Sequence, residues 1–220
     1  YGVIFESLTS QNIGGRLAST ISTRGVDPSL EPERAEEFEF GVDASAFNSR
    51  VGLELTHYRK TVSDLILDRE NPVSTGITEI AVNAGTLRNL GWEVGLTFVP
   101  IQTGRFNWTS RNLFWTNDSE ITELDIPRFT TGGFGAALGT YLIQEGFSPT
   151  TIVGTPATPD GDAPFTVYGN AQPDFQMSFS NEFTLFRDFQ LSFLFHWKRG
   201  GENINLTRLL TDSGGTTPDW

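Results

Sequence analysis

The stretch that decides the fold runs from Gly169 to Gly201 and reads GNAQPDFQMSFSNEFTLFRDFQLSFLFHWKRGG. It contains two runs in which apolar and polar residues alternate, joined by a short turn at Arg187 and Asp188. Successive side chains of a β-strand point to opposite faces, so each run predicts a strand with one apolar and one polar face. The apolar face is dominated by phenylalanine, and the polar face carries hydroxyls, amides and charges. The stretch therefore predicts an antiparallel β-hairpin.

This alternation is typical both of a half-buried soluble sheet and of the wall of a membrane β-barrel. The barrel is favoured because lipid requires apolar outward residues, a wet lumen accepts polar inward residues, and aromatic rings prefer the two membrane interfaces. The second strand has aromatic residues at both ends, Phe189 and Trp197. Its length of about 26 Å, at ~3.3 Å per residue, is enough to cross a bilayer when the strand is tilted.

The composition excludes several classes of protein. The chain has 220 residues and a formal net charge of −12, which argues against a nucleic-acid binder because phosphate contacts need clustered Lys and Arg. It contains no cysteine, so it has no disulfide and no thiolate metal site. No window approaches eighteen uninterrupted apolar residues, which excludes a transmembrane helix. The chain begins at Tyr1 without a signal-like segment, and we expect a processed chain or an internal fragment.

Further segments repeat the pattern of the hairpin, and together they predict about six spanning strands. The other predicted strands are 37–47, 51–58, 90–99 and 106–117. The predicted connections are short at 48–50, 100–105 and 187–188, and long at 59–89 and 118–173. Outer-membrane barrels have short periplasmic turns and long extracellular loops, so this alternation also predicts an orientation.

One parity of these strands is apolar, and we predict that its residues face lipid. The predicted lipid-facing residues are Phe38, Phe40, Val42, Leu53, Leu55, Trp92, Val94, Leu96, Phe98, Phe179, Phe183, Leu185, Leu191, Phe193, Phe195 and Trp197. Ser110 and Asn112 interrupt the apolar face of the fourth strand, which weakens the prediction of its register.

Three groups of short motifs occur in order along residues 27 to 207. The first is Leu30-Glu31-Pro32-Glu33-Arg34 followed by Glu37-Phe38-Glu39-Phe40-Gly41. The second is Val82-Asn83-Ala84-Gly85 with Asn89, Gly91 and Glu93. The third is Gly169-Asn170 with Pro173-Asp174-Phe175, and later Gly200-Gly201-Glu202 with Asn205. Together these motifs resemble those of the TonB-dependent outer-membrane transporters of the SusC/RagA type, in which the first motif resembles the entry into a barrel strand.

The resemblance implies an all-β fold, as a segment of an antiparallel transmembrane β-barrel of about 22 strands with long extracellular loops and an enclosed plug. It implies a bacterial outer-membrane importer of an oligosaccharide or peptide, partnered by TonB and by a SusD-like surface lipoprotein. We find neither a plug nor a TonB-contacting region in the sequence, so we expect residues 1–220 to be part of one barrel domain. An open six-stranded sheet would otherwise leave unpaired edges in lipid.

Aromatic residues of the long loop are the candidates for contacts with substrate or lid. They are Phe134, Tyr141, Phe147 and Tyr168. Aromatic rings can stack on sugars, but packing of the loop against itself or a lid accounts for them equally well.

Other chemistry is weakly indicated. The acidic cluster from Glu31 to Glu39 is better explained as a solvated barrel rim than as a cation or sugar contact, and Asp160-Gly161-Asp162 as an acidic turn than as a Ca²⁺ site. The two histidines, His57 and His196, show no triad pattern. We therefore assign no catalytic residue, no metal ligand and no cofactor, and expect no enzyme.

Two alternatives stay open. One is a soluble or cell-surface β-sandwich that binds glycan, with its phenylalanine faces packed together. The other is a barrel of another kind, such as a porin or an adhesin. Strands of about ten residues and one-sided long loops favour the barrel over the sandwich.

Overall fold

The computed structural model describes residues 8–21, 24–133, 139–154, 166–186 and 188–216. Six long antiparallel strands form the main sheet, and shorter strands form three small sheets. The strands are β1 Leu8–Ile13, β2 Arg16–Ile21, β3 Arg24–Val26, β4 Arg34–Ala46, β5 Val51–Ser63, β6 Ile66–Glu70, β7 Glu79–Asn83, β8 Gly85–Gln102, β9 Phe106–Leu124, β10 Phe129–Thr131, β11 Thr140–Ile143, β12 Thr151–Gly154, β13 Thr166–Asn170, β14 Pro173–Leu185 and β15 Phe189–Gly200. One α-helix is described, α1 Leu206–Ser213, and a 3₁₀ turn covers Val73–Thr75.

The main sheet has the strand order β15-β14-β9-β8-β5-β4, with every neighbouring pair antiparallel. Its strands are the six predicted from the sequence, so that prediction is confirmed. They are longer than predicted, and β8 and β9 reach 18 and 19 residues. Most of the extra residues lie at the end of the sheet where the long connections leave, which we call the loop end, although β8 also extends to Gln102 at the other end. The opposite end, with the short connections, is the turn end.

Tight turns close the turn end. Between β4 and β5 the backbone of Phe47, Asn48 and Ser49 has positive φ (56°, 56° and 62°), and Arg50 N–H donates to the Phe47 carbonyl at 3.3 Å. Neighbouring turns are also joined to each other, since Phe186 N–H donates to the Arg105 carbonyl at 2.7 Å. Of the two residues predicted to form the turn between β14 and β15, Asp188 is described and Arg187 lies outside the described residues.

The strand register places all sixteen residues predicted to face lipid on one face of the main sheet, because directly paired residues of antiparallel strands share a face. We call it the apolar face. One row across it is Val42, Leu55, Val94, Phe114, Met177 and Trp197. The row beside it on the polar face is Gly41, Thr56, Glu93, Trp115, Gln176 and Lys198.

Polar residues interrupt the apolar face near the middle of β9 and β14, where Ser110 pairs with Asn181. Both are buried, at 5% and 1% exposure. The Trp108 indole N–H donates to Asn181 Oδ1 at 2.8 Å, and the Trp108 ring stacks on Phe183 with centroids 5.6 Å apart. Asn112 donates to the Ser110 hydroxyl at 3.3 Å. Aromatic rings and hydrogen bonds therefore surround these residues on the apolar face, although Asn181 Nδ2 has no hydrogen-bond partner among the described residues.

Replacing Trp108 with phenylalanine is expected to lower the free energy of unfolding by about 1 kcal/mol, because Asn181 Oδ1 loses its donor while staying buried. The measurement is urea unfolding of the full-length protein in lipid vesicles. Trp197→Phe is the matched control, since Trp197 makes a ring contact with Phe175 on the same face. Equal destabilisation by the two substitutions would contradict the assigned role of the hydrogen bond.

The long connections contain short paired strands of their own. β3, β7 and β6 form one sheet and β10 to β13 form another. Strand β5 ends at Ser63, the backbone of Asp64 has a positive φ of 59°, and β6 then pairs with β7. These strands have three to five residues, which is too short for alternation to be visible in the sequence.

A small core joins the two long connections. Val82 and Ala84 from the first connection and Ile126 from the second are buried together. Leu67, Ile80, Leu124 and Phe129 pack around them. The two connections therefore fold as packed structure beyond the loop end.

The helix α1 follows β15. Its N-cap is Asn205, whose Oδ1 accepts the backbone N–H of Arg208 at 3.0 Å, so this residue of the third motif begins the helix. No helix of the described residues is long and apolar enough to cross a membrane.

Candidate functional site

The polar face of the main sheet has glycines under larger side chains. The Tyr58 ring lies against Gly91 on the adjacent strand, where an added Cβ would be 2.2 Å from Tyr58 Cζ. The Tyr58 hydroxyl continues to the next strand and donates to Asn117 Oδ1 at 2.9 Å. Asn117 in turn donates to the Ser119 hydroxyl at 3.0 Å. A hydrogen-bonded row thus crosses β5, β8 and β9 and fixes their relative positions.

A second glycine of β8 opens a cavity on the same face. At Gly95 an added Cβ would be 2.9 Å from Glu54 Oε2, so the Glu54 side chain lies over the backbone of β8. Arg111 on β9 is 3.6 Å from the same oxygen. The cavity has a volume of about 390 Å³. Its lining comprises Glu54, Thr56, Glu93, Val94, Gly95, Arg111, Leu113, Phe114 and Trp115.

A larger cavity, of about 650 Å³, lies at the loop end. At this end β9 extends to Leu124, whereas the neighbouring strand β14 begins only at Pro173 and is therefore shorter. The lining is mainly polar and comprises Thr116, Asn117, Asp118, Phe147, Thr151, Val167, Gly169, Asn170, Gln172, Pro173, Asp174 and Glu202. Hydroxyl, amide and carboxylate groups predominate, so the cavity suits a hydrophilic solute.

The four aromatic loop candidates lie in different surroundings. Phe147 lines the larger cavity, and its carbonyl accepts the Ile121 N–H at 2.9 Å. Tyr141 is half-buried in β11, beside Gly132. Tyr168 in β13 is 59% exposed. Phe134 lies outside the described residues. Contact of the other three with substrate or lid stays a prediction, and only Phe147 is placed at the cavity.

The first two sequence motifs meet at one junction on the loop end. Asn83 Oδ1 accepts the Glu31 N–H at 2.7 Å, and Asn83 Nδ2 donates to the carbonyls of Glu31 and Asp64 at 2.8 and 2.6 Å. Glu33 accepts the backbone N–H of Ile66 at 2.9 Å. These contacts tie the entry of β4 to the end of β5 and to the strand pair that follows. The motif residues thus hold the connection to the sheet.

The third motif forms a second junction, around Asn170. Asn170 Oδ1 accepts the Thr150 hydroxyl at 2.6 Å and the Gln172 N–H at 3.0 Å. Its backbone N–H donates to the Glu202 carboxylate at 2.9 Å, and its carbonyl accepts the Glu202 N–H at 2.8 Å. A side chain at 169 would displace Glu202, because an added Cβ would lie 2.7 Å from the Glu202 side chain.

The Glu202 contact predicts a pH dependence. Accepting the Asn170 N–H keeps the pKa of the Glu202 carboxyl below its ordinary value of 4.5. A lowered folded-state pKa means that the stabilisation is present above the ordinary value and is lost as pH falls through the folded value. We therefore expect faster hydrogen exchange of the Asn170 amide at low pH than at pH 7, after correction for intrinsic rates. Glu202→Gln, measured by the same exchange experiment, should remove this change, and an undiminished change in the variant would contradict the prediction.

The histidines lie in ring contacts. His57 is on the apolar face, stacked on Trp92 at 4.3 Å, with Nδ1 2.8 Å from the Gly91 carbonyl oxygen. His196 is on the polar face, with its ring 5.6 Å from that of Trp115. These contacts are those expected of packing residues. Within the described residues, no group of three or more His, Cys, Asp and Glu side chains is arranged to hold a metal ion.

The sequence reasoning missed the two cavities and the role of the asparagines. One signal was present: Gly91 and Gly95 lie four residues apart on the polar parity of β8. Glycine inside a strand marks a place where another group approaches the backbone closely. The loop-end cavity had no such local signal, because its lining comes from β9, β12, β13, β14 and the segment after β15.

Comparisons with known proteins agree on one family. The profile of the TonB-dependent receptor-like β-barrel matches residues 1–209. TonB-dependent receptor P26 of Formosa agariphila is 29% identical over 242 residues, covering 93% of this chain and 24% of that protein. TonB-dependent receptor SusC of Bacteroides thetaiotaomicron is 30% identical over 124 residues, covering 56% of this chain and 12% of that protein.

The fold also matches solved structures. The RagAB peptide transporter aligns with a TM-score of 0.67 at 21% identity, covering 87% of this chain and 23% of the matched chain. The chain spans a quarter or less of the length of the curated relatives it matches. The resemblance to the SusC/RagA type and the barrel fold class are confirmed, and the β-sandwich alternative is wrong. The chain belongs to the TonB-dependent receptor-like β-barrel family and is a protein of the outer membrane.

Proposed function

We propose that the chain supplies part of the wall and extracellular loops of a TonB-dependent importer that takes up a nutrient such as an oligosaccharide or a peptide. The family is one of outer-membrane receptors and transporters, which supports nutrient import in general. The observation that carries the proposal is the main sheet itself. One face of its six neighbouring strands is mainly apolar and the other is mainly polar. A wall between lipid and a wet lumen requires this difference.

In this proposal the apolar face contacts lipid and the polar face lines the lumen. Support comes from the exposure of the large apolar side chains, among them Phe195 at 66% and Leu191 at 58%. Such residues would be unfavourable in water and are favourable against hydrocarbon. The edges β4 and β15 pair with further strands of the same barrel, because an open edge in lipid would leave backbone groups unsatisfied. Residues 1–220 thus belong to one barrel domain, whose remaining strands and plug lie elsewhere in the whole protein.

The loop end faces the cell exterior and receives the solute. Support comes from the loop-end cavity and from the two junctions that hold the long connections on the sheet. A packed loop region can present a fixed surface, and a SusD-like lipoprotein lid is the partner that we propose for it, with TonB acting from the periplasmic side. SusC and the RagAB transporter are the relatives that suggest this assembly.

Uptake by intact cells tests the proposal. Cells that express the full-length protein, and matched cells with TonB deleted, are supplied with panels of labelled oligosaccharides and peptides. We expect accumulation of at least one panel member that requires both the protein and TonB. Accumulation that persists without TonB would instead indicate a porin, and the absence of any protein-dependent accumulation would contradict import of these two classes.

The orientation can be tested separately by cysteine labelling, since the sequence has no native cysteine in this region. Cysteines at Tyr168 and Ser49 are treated with an impermeant maleimide on intact cells. The proposal expects labelling at Tyr168 and protection at Ser49 until the outer membrane is permeabilised. The reverse pattern would overturn the orientation.

A further inference from the structure

The cavity beside Gly95, which we call the wall cavity, brings a carboxylate and an indole together. Glu93 on β8 pairs directly with Trp115 on β9. Its neighbours in the same row are Thr56 and Gln176, which are neutral. The centroid of the His196 ring lies 5.6 Å from that of the indole. An indole and a carboxylate are thus adjacent at the edge of a cavity of about 390 Å³.

The other charges of the cavity are already matched. Glu54 lies over Gly95 and is 3.6 Å from Arg111, so these two side chains largely neutralise each other. Glu93 is exposed, and no ion pair joins it to another described residue. The lining therefore has one excess negative charge, and this charge lies beside the aromatic ring.

This arrangement fits a cation better than a neutral solute. A cation over an indole face is attracted by the ring quadrupole, and the attraction grows when water is displaced. A carboxylate next to the ring adds a charge-assisted hydrogen bond. An anion would be repelled by Glu93, and a neutral polyol would leave the excess charge unmatched. The cavity also has room for the stem that carries the cation, with Leu113 as an apolar wall.

We infer that the wall cavity binds a guanidinium or alkylammonium group carried by a solute in the lumen, with Trp115 and Glu93 as the recognising residues. The inference rests on the proposed function in one respect, namely that the polar face is the lumen wall. It narrows the substrate class, since cationic side chains occur in peptides and cationic groups are absent from simple oligosaccharides. Glu54 and Arg111 act as positioning residues that shape the cavity.

The test is ¹⁹F NMR of the detergent-solubilised full-length protein labelled with 5-fluorotryptophan. The Trp115 signal is assigned by its loss in Trp115→Phe. The probe is N-acetyl-argininamide, and the matched neutral probe is N-acetyl-citrullinamide, which has the same shape without the charge. We expect a saturable shift of the Trp115 signal with the arginine probe, and binding weaker by about tenfold with the citrulline probe and in Glu93→Gln.

A control variant separates local from general effects of charge. Glu182→Gln removes a carboxylate from the polar face outside the cavity, where Glu182 contacts Gln190, and should leave the shift unchanged. Equal binding of the two probes, no shift, or an unchanged affinity in Glu93→Gln would each overturn the inference. Because this experiment measures binding without uptake, it can fail while TonB-dependent uptake persists, and it can succeed while uptake fails.

Discussion

Replacing Leu191 with arginine is expected to lower the free energy of unfolding of the full-length barrel by about 2 to 4 kcal/mol, the cost of a cation near the membrane midplane. Leu191 lies on the apolar face, where it pairs with Phe183 on the neighbouring strand. The guanidinium would have to extend along the strand to reach a membrane interface, and hydrocarbon offers it no partner. Urea unfolding in lipid vesicles, followed by tryptophan fluorescence, measures the change.

The adjacent position gives the matched control. Ser192 is on the polar face and pairs with Glu182, so an arginine there meets water and a carboxylate. We expect Ser192→Arg to change the free energy of unfolding by less than about 0.5 kcal/mol. Similar losses for Leu191→Arg and Ser192→Arg would contradict the assignment of the two faces to lipid and lumen.

Replacing Gly91 with alanine is expected to cost about 2 to 4 kcal/mol, which combines overpacking with the loss of a hydrogen bond. The new Cβ would lie 2.2 Å from Tyr58 Cζ and 2.3 Å from its hydroxyl oxygen, so the Tyr58 ring must move away from the backbone of β8. When it does, the hydroxyl loses its 2.9 Å contact with Asn117. The same unfolding experiment in vesicles measures this loss.

Two controls isolate the contact between Tyr58 and Gly91. Gly52→Ala on the same face should be nearly neutral, because its nearest neighbour would be Thr97 Cβ at an ordinary distance of 3.6 Å. In the background Tyr58→Ala, the further change Gly91→Ala should cost much less than it does alone, because the clash is gone. If the effects of Tyr58→Ala and Gly91→Ala on the free energy of unfolding were additive, the clash with the Tyr58 ring would not be the reason for glycine at position 91.

Much of the wall was predictable from single strands. Side chains alternate with period two, so the apolar parity of β15, from Phe189 to Trp197, is visible without knowledge of its neighbours. The register follows almost as directly, because a slip of one residue would turn every apolar side chain to the wrong face. This is why the residues predicted to face lipid share one face of the sheet, including those on strands far apart in sequence.

The connections and the sites were less predictable. The strands β10 to β13 are too short for a period to appear, and their pairing depends on residues brought together from separate segments. The asparagines Asn83 and Asn170 were part of a recognised resemblance, yet their role as junctions could not be derived from the motif. Each binds groups of distant segments, the Glu31 backbone in the case of Asn83, and the Thr150 hydroxyl and Glu202 in the case of Asn170.

The sequence by itself determined the two-faced strands, their order of short and long connections, and the family of the protein, because alternation and short motifs are local properties of the chain. Only the tertiary structure decided which side chain covers each glycine and where a cavity remains beside it, since that depends on what the neighbouring strand places over the glycine. Gly91 lies under Tyr58 and Gly95 lies under Glu54, although both occupy the same parity of β8. The difference comes from the register between β5 and β8.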